Sequence, residues 1–315
     1  MMTQTKTIHP AAKTFFALGT INTIHAFGDE AEQAVEDAAE RVLQIDDMLS
    51  AFKPESDISK ISRHAGGGFR QVSRDTFHLI KKAAEFGKTS EGAFDITIRP
   101  LVELWGINKK GDYVPAEPEI REALNLVSFK DIAFNARMNG VALKKPGQSL
   151  DLGGIAKGYA ADEVRHILTK NGVKSAMINL GGNIVAIGRR PDGKAWQIGI
   201  QNPLQPTGIY LGVISAEDKT VVTSGCNERF FMKDGVRYHH IIDPRTGKPA
   251  QSGLLSVTAV CKNSAEADAL TTALFILGQE KGLKLLKKFK AEAIFVKEDL
   301  SVFVTPGLAK CFEKN

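Results

Sequence analysis

Cysteine is scarce in this chain, tryptophan scarcer, and long apolar runs are missing; each shortage removes a class of protein. Cys226, Cys261 and Cys311 are the three cysteines of 315 residues, with no CxxC spacing among them. That leaves neither a disulfide framework nor a structural zinc site. No segment reaches the roughly 18 apolar residues needed to cross a bilayer. The apolar stretch at 14–19 stops at Thr20 and Asn22, too short for the hydrophobic region of a secretion signal, and no cysteine near the start marks a lipid anchor. The expected location is therefore cytoplasmic. Basic residues number 41 and acidic ones 36, a net charge of +5 without any Lys/Arg block, so nucleic acid is not an expected partner. No dinucleotide fingerprint of the GxGxxG kind appears either, which argues against a nicotinamide or flavin oxidoreductase of that type.

What is present is a globular composition, 43% apolar and 24% charged, with enough chain for a sizeable core. Alternation over 15–28 predicts a strand, and Asp29 then caps a long helix. Ala31, Ala34, Val35, Ala38, Val42, Ile45, Met48 and Leu49 recur at three- and four-residue spacing on its buried face. Residues 62–71 read as a loop, 75–90 as a second helix, 106–118 as a polar surface segment, and 125–143 as short strands. A helix over 156–171 precedes a strand over 175–180. Asp192 and Gly193 are expected to join strands 184–188 and 196–200 as a hairpin. Strands follow at 209–215, 221–223 and 237–242, then a helix from Ser264 to Leu277, an apolar-periodic stretch at 283–289, and strands at 293–296 and 302–304. Strands and helices mix without a regular βαβα beat, so the fold class is α+β with mixed or antiparallel sheets and packed helices. The expected organisation is a tail over 1–14, one domain over 15–305 with an inserted subdomain, and a tail over 306–315.

Four constellations carry chemistry. In Asp151-Leu152-Gly153-Gly154-Ile155-Ala156-Lys157 a strand ends in an acid, two glycines turn the chain, and a helix starts with a lysine in its first turn. This is either a structural turn or an anion site, where free N–H groups and the lysine charge meet a phosphate. Asp268 and Thr272 stand at i and i+4 on one helix face. They are either a helix acid with a back-bonded threonine or a hard-oxygen pair suited to Mg²⁺, which takes few protein ligands. In His239-His240-Ile241-Ile242-Asp243-Pro244 a strand carries two histidines into a turn. Adjacent strand residues face opposite ways, so at most one of them serves a given site, as a general base; otherwise both are packed or exposed. Ala93, Phe94 and Asp95 form a small-aromatic-acid trio able to hold a flat heterocycle.

Taken together and in order, these pieces resemble the ApbE family of FAD:protein FMN transferases. The likeness is carried by LGT at 18–20, LSAFKPESDIS at 49–59, GAFD at 92–95, DLGGIAKGYA at 151–160, NLGGN at 179–183, TSG at 223–225, HIIDPRTGKP at 240–249 and DALTTALF at 268–275. It spans about 15–305. The resemblance implies an ApbE-like, T-fold-like architecture. It implies that Leu18, Phe52, Ala93, Phe94, Asp95, Asp151, Lys157 and Ile242 contact FAD. It implies that the Gly154 carbonyl, Asp268 and Thr272 bind Mg²⁺, and that His240 activates the acceptor hydroxyl. FMN would pass to a Thr or Ser of an acceptor flavoprotein, with AMP released, by a monomer or homodimer. Two positions depart from the pattern: Cys226 follows the TSG, and Phe52 stands where a tyrosine is common, keeping the ring without the hydroxyl. Two other readings use the same pocket: an FAD pyrophosphatase with water as nucleophile, and an FAD-binding protein without turnover.

Overall fold

The computed structural model describes residues 10–107 and 109–315. In chain order its elements are β1 (Pro10–Ala17), β2 (Thr20–Phe27), α1 (Ala31–Leu49), α2 (Asp57–Arg63), β3 (Arg70–Gln71), α3 (Arg74–Thr89), α4 (Arg99–Trp105), α5 (Glu117–Leu124), β4 (Ile132–Asn135), β5 (Gly140–Leu143), α6 (Ala156–Lys170), β6 (Ser175–Leu180) and β7 (Asn183–Ile187). They continue with β8 (Trp196–Gln201), β9 (Tyr210–Ala216), β10 (Lys219–Gly225), β11 (Phe230–Lys233), β12 (Val236–His239), β13 (Ile242–Asp243), β14 (Lys248–Pro249), β15 (Leu254–Cys261), α7 (Ser264–Leu286), β16 (Glu292–Lys297), β17 (Val302–Val304) and β18 (Phe312–Lys314).

One eight-stranded sheet, ordered β1-β2-β6-β7-β10-β15-β16-β17, organises the molecule. All its neighbours pair antiparallel, which narrows the expected mixed or antiparallel arrangement to the latter. Helix α1 packs on β1 and β2, α6 on β6 and β7, and α7 on β10 and β15, while α6 touches both other helices. Strand β15 is buried along its whole length, Ser256 and Thr258 included, between β10 and β16 in the interior of the sheet. A second, smaller apolar cluster of Leu101, Trp105, Ile120 and Ile242 lies apart from the main core.

Several expectations are corrected. The first strand begins at Pro10, so residues 10–14 belong to a hairpin, and the expected strand over 15–28 is two strands turned at Leu18 and Gly19. Both turn residues have positive φ, 54° and 70°, the pattern that tight hairpins favour. The segment 306–315 contributes β18, which pairs with β9. Helix α1 has Glu30, not Asp29, at its N-cap. The loop expected over 62–71 holds the end of α2 and strand β3. Strands β7 and β8 are not a hairpin: β7 pairs with β6 and β10, and β8 with β9 in a separate sheet. The Asp192-Gly193 turn exists, closed by Gly193 N–H on the Arg190 carbonyl, but it carries the chain from one sheet to another. In α7, Gly278 has φ 73° and ψ 175° and breaks the helix between the two segments expected from the sequence.

Candidate active site

The floor of the site is the crossing of α6 and α7. Asp162 of α6 accepts the Ser264 and Ala265 N–H groups at 2.9 and 3.0 Å, capping the first turn of α7 from outside. Asn263 caps it from within, its Oδ1 accepting the Glu266 N–H at 2.8 Å. Gly158 lets the two backbones meet, since a Cβ there would lie 2.2 Å from the Ser264 carbonyl oxygen. The Gly158 N–H then reaches Asp268 Oδ2 at 2.9 Å. The carboxyl of Asp268 is buried, which raises its pKa against the opposing pull of Lys157 and the Gly158 hydrogen bond. Thr271 ties the helix to the sheet, accepting from Ser224 Oγ at 2.8 Å.

The strand–turn–helix segment behaves as its sequence suggests. Asp151 Oδ1 accepts the Gly153 N–H at 2.8 Å, and Lys157 Nζ folds back to the Gly153 carbonyl at 3.2 Å. The Asp151 N–H bonds the Ile96 carbonyl at 2.8 Å, locking this segment to the 93–97 loop. A Cβ on Gly154 would sit 3.0 Å from the Phe94 ring and 3.3 Å from Thr272 Oγ1. The glycine is therefore what allows its backbone to approach both.

Asp95 has a local role. Its Oδ1 accepts from Thr97 N and Oγ1 at 2.8 and 2.7 Å, and its Oδ2 from Phe129 N at 2.7 Å. Burial raises its pKa against these hydrogen bonds. The carboxylate thus shapes the loop that presents Ala93 and Phe94 to the cleft.

The two histidines part at the end of β12, which stops at His239. His239 turns into the core, with its ring against the Ala250 carbonyl at 2.9 Å and edge-on to Phe275. His240 faces the cleft, with Nδ1 3.3 Å from the Arg229 carbonyl. A carbonyl only accepts, so Nδ1 carries the hydrogen and Nε2 keeps a free lone pair. Burial lowers the His240 pKa to about 4, with the positive charges of Arg229 and Lys157 adding to the effect. The turn that follows is held by Asp243, which receives Arg245 Nε and Nη2 at 2.8 and 2.7 Å.

These elements enclose a cleft of about 260 Å³. Ala93, Phe94, Asp95, Asp151, Gly154 and Lys157 line it, as do His240, Ile242, Asp268 and Thr272. Ten of the twelve residues expected from the sequence thus share one cavity. The other two do not reach its wall. Leu18 sits in the β1–β2 turn, beside Thr20, whose side chain abuts Gly181 at the rim. Phe52 is 67% exposed, with its ring beneath the Arg99 guanidinium. Sequence reasoning missed Asp162, whose α7 partners lie more than a hundred residues away, and the Arg229 carbonyl that sets the His240 tautomer. It also missed Arg99. No local pattern marks any of the three.

Among the described residues no group of three or more His, Cys, Asp or Glu side chains could hold a metal. The candidate donor set is of another kind. Thr272 Oγ1, Asp268 Oδ1 and the Gly154 carbonyl accept no hydrogen bond among the described residues. These free oxygens of one carboxylate, one hydroxyl and one carbonyl fit a hard divalent cation that completes its shell with water and phosphate.

The architecture is that of solved flavin transferases, which with the relatives below makes this chain an enzyme of the transferase class. It superposes on the ApbE protein of Thermotoga maritima with a TM-score of 0.88 at 33% identity, over 97% of this chain and 100% of that one. It superposes on the flavin transferase ApbE of Vibrio cholerae with a TM-score of 0.87 at 26% identity, over 96% and 99%. By sequence it is 38% identical over 275 residues to the FAD:protein FMN transferase of Klebsiella pneumoniae (strain 342), covering 86% of this chain and 85% of that protein. Identity to the FAD:protein FMN transferase of Treponema pallidum (strain Nichols) is 36% over 309 residues, covering 92% and 85%. The ApbE family pattern matches residues 18–295. The chain belongs to the ApbE family.

Proposed function

We propose that this enzyme is a Mg²⁺-dependent FAD:protein FMN transferase that places FMN on a Thr or Ser hydroxyl of an acceptor flavoprotein and releases AMP. One observation carries the reading: a neutral imidazole with a free Nε2 shares a single cleft with Lys157 and three unengaged hard oxygens. Asp268, Thr272 and the Gly154 carbonyl would hold Mg²⁺. Bound there, the ion would neutralise charge on the phosphate oxygens.

This chain's own groups do the rest. The N-terminal turn of α6 and Lys157 offer positive charge to the pyrophosphate. Phe94 and Ala93 give a flat apolar wall for a heterocycle. Nε2 of His240 takes the proton of the acceptor hydroxyl as its oxygen bonds to the FMN phosphorus. The bond from that phosphorus to the bridging oxygen breaks, and AMP leaves with the electron pair. A pKa near 4 keeps the imidazole unprotonated and ready to accept. The arriving phosphates raise its basicity as the reaction requires. Positioning and electrostatics supply most of the rate, as in other phosphoryl transfers. Three free thiols suit the cytoplasmic setting expected from the sequence.

Incubation with FAD and Mg²⁺, with and without an acceptor domain carrying the target threonine, tests the reading through AMP release and acceptor mass. Acceptor-dependent AMP and a mass gain of one FMN are expected. Equal release of AMP and free FMN without acceptor would make the protein a pyrophosphatase. Intact bound FAD under both conditions would make it a binding protein.

A further inference from the structure

Arg99 opens α4 immediately after the loop that lines the cleft, and its side chain is 11% exposed. Its Nε donates to Glu103 Oε1, one turn along, at 2.7 Å. Its Nη1 is buried and makes no hydrogen bond among the described residues. The same nitrogen stands 4.0 Å from Asp151 Oδ2. Asp151 Oδ1 is engaged by Gly153, so Oδ2 is the oxygen left over. On its other side the guanidinium carbon lies 4.4 Å from the centroid of the Phe52 ring. A surface aromatic and a cleft carboxylate are thus joined through one guanidinium.

A buried donor without a partner is costly, and 4.0 Å is too long for a hydrogen bond. A movement of about 1 Å would bring Nη1 and Oδ2 to bonding distance. The two groups therefore stand one small step short of a closed ion pair. Glu103 fixes one edge of the guanidinium, which leaves the other edge directed at Asp151, and the ring stacked above must follow any shift of that plane.

We propose that Arg99 is a positioning residue of the nucleotide site: occupation of the cleft closes the Arg99–Asp151 pair, and the closed pair holds the Phe52 ring as a stacking face for a planar ring of the ligand. The inference rests on FAD being that ligand, as proposed above. It requires arginine, because a planar guanidinium can stack and donate in one plane at once, whereas a lysine ammonium is a single point charge.

The test is FAD affinity by quenching of flavin fluorescence for the wild type, R99K, R99Q, F52A and the F52A/R99Q double variant. It is read with kcat at saturating FAD and with the melting temperature of each ligand-free protein. R99Q is expected to weaken FAD binding about tenfold or more, the scale of a charge-assisted hydrogen bond. Its kcat at saturation should stay within roughly threefold, because the lost contact acts in binding. F52A should weaken binding in the wild type but add less in the R99Q background, where the ring keeps only the Lys109 ammonium, 4.7 Å from its centroid. R99K should recover part of the loss only. Wild-type affinity in R99Q, full recovery in R99K, or losses that multiply independently in the double variant would each overturn the proposal. Should R99Q not fold, R99K and F52A carry the same decision, since one keeps the charge and the other alters an exposed side chain. A wild-type protein that does not bind FAD would instead sink the functional reading on which the inference rests.

Discussion

Replacing Gly158 by alanine adds one methyl group at the point where α6 and α7 touch. The new carbon would lie 2.2 Å from the Ser264 carbonyl oxygen, 2.6 Å from the Ser264 carbonyl carbon and 2.7 Å from Ala265 Cα. All three are backbone atoms, so no side chain can swing aside, and restoring van der Waals contact needs a relative shift of the helices of about 1 Å. Overpacking of this kind costs about 1–3 kcal/mol, and the better helix propensity of alanine returns up to about 1 kcal/mol. With a cost at the upper end and a full return from propensity, the net loss should be about 2 kcal/mol. A chain of 315 residues unfolds with an entropy of about 0.7 kcal/mol per degree, so the melting temperature should fall by only about 3 °C. Activity should suffer far more. The same shift moves Asp268 relative to Gly154 and stretches its 2.9 Å bond to the Gly158 N–H, and a misplacement of about 1 Å can cost on the order of 10²-fold in rate. AMP release measured against Mg²⁺ concentration, beside a thermal melt, reads both effects. A Gly158→Ala variant with normal Mg²⁺ activation and normal rate would refute the claim that this crossing sets the site's geometry.

Other expectations follow from the same contacts. Asp268→Ala should raise the Mg²⁺ concentration needed for half-maximal AMP release by at least about tenfold, since it deletes the only charged donor of the set; an unchanged titration would remove its ligand role. His240→Ala should still quench FAD fluorescence while transferring FMN about 10²- to 10⁴-fold more slowly, and a wild-type transfer rate would withdraw the base assignment. The pKa of His240 also makes a pH prediction. An unfolded chain takes up a proton near 6.5 whereas the folded ring resists it down to about 4. Across that window the unfolded state binds more protons, and stability falls as the pH drops, by at most about 3 kcal/mol from this group. His240→Gln should therefore lose less stability than the wild type in urea melts between pH 7 and pH 4.5; an identical loss would contradict the assignment. Asp95→Asn should destabilise the fold by about 1–3 kcal/mol in urea, because an amide NH₂ would face a buried N–H donor of Thr97 or Phe129; an unaltered midpoint would show that the loop does not depend on these bonds.

Much of this site could be read from the sequence because its parts are local. The spacing of Asp268 and Thr272 sets them on one helix face wherever that helix goes, and the glycine pair before Lys157 forms a helix start that does not depend on the rest of the chain. Strand spacing anticipated that His239 and His240 would part, although β12 ends at His239 and His240 stands in the bend after it. Roles that depended on partners were less legible. Asp95 read as a ligand-binding acid, yet its three accepted hydrogen bonds show a carboxylate occupied in shaping its own loop. Phe52 read as part of the pocket wall and stands outside it, on a guanidinium that no pattern had marked. The Asp192-Gly193 turn was a correct local reading attached to the wrong pairing, because a turn fixes where a chain reverses and not which sheet receives the next strand.

The sequence by itself determined the longer elements, the α+β class and the order of the chemical groups, since periodicity, glycine turns and residue type are properties of short stretches. The tertiary structure decided which of those groups meet. Asp162 grips the first turn of α7, Gly158 lets α6 press against it, and Arg229 selects the tautomer of His240. The first two join positions about a hundred residues apart and the third is set by the β11–β12 pairing, so their energy exists only once those elements have come together.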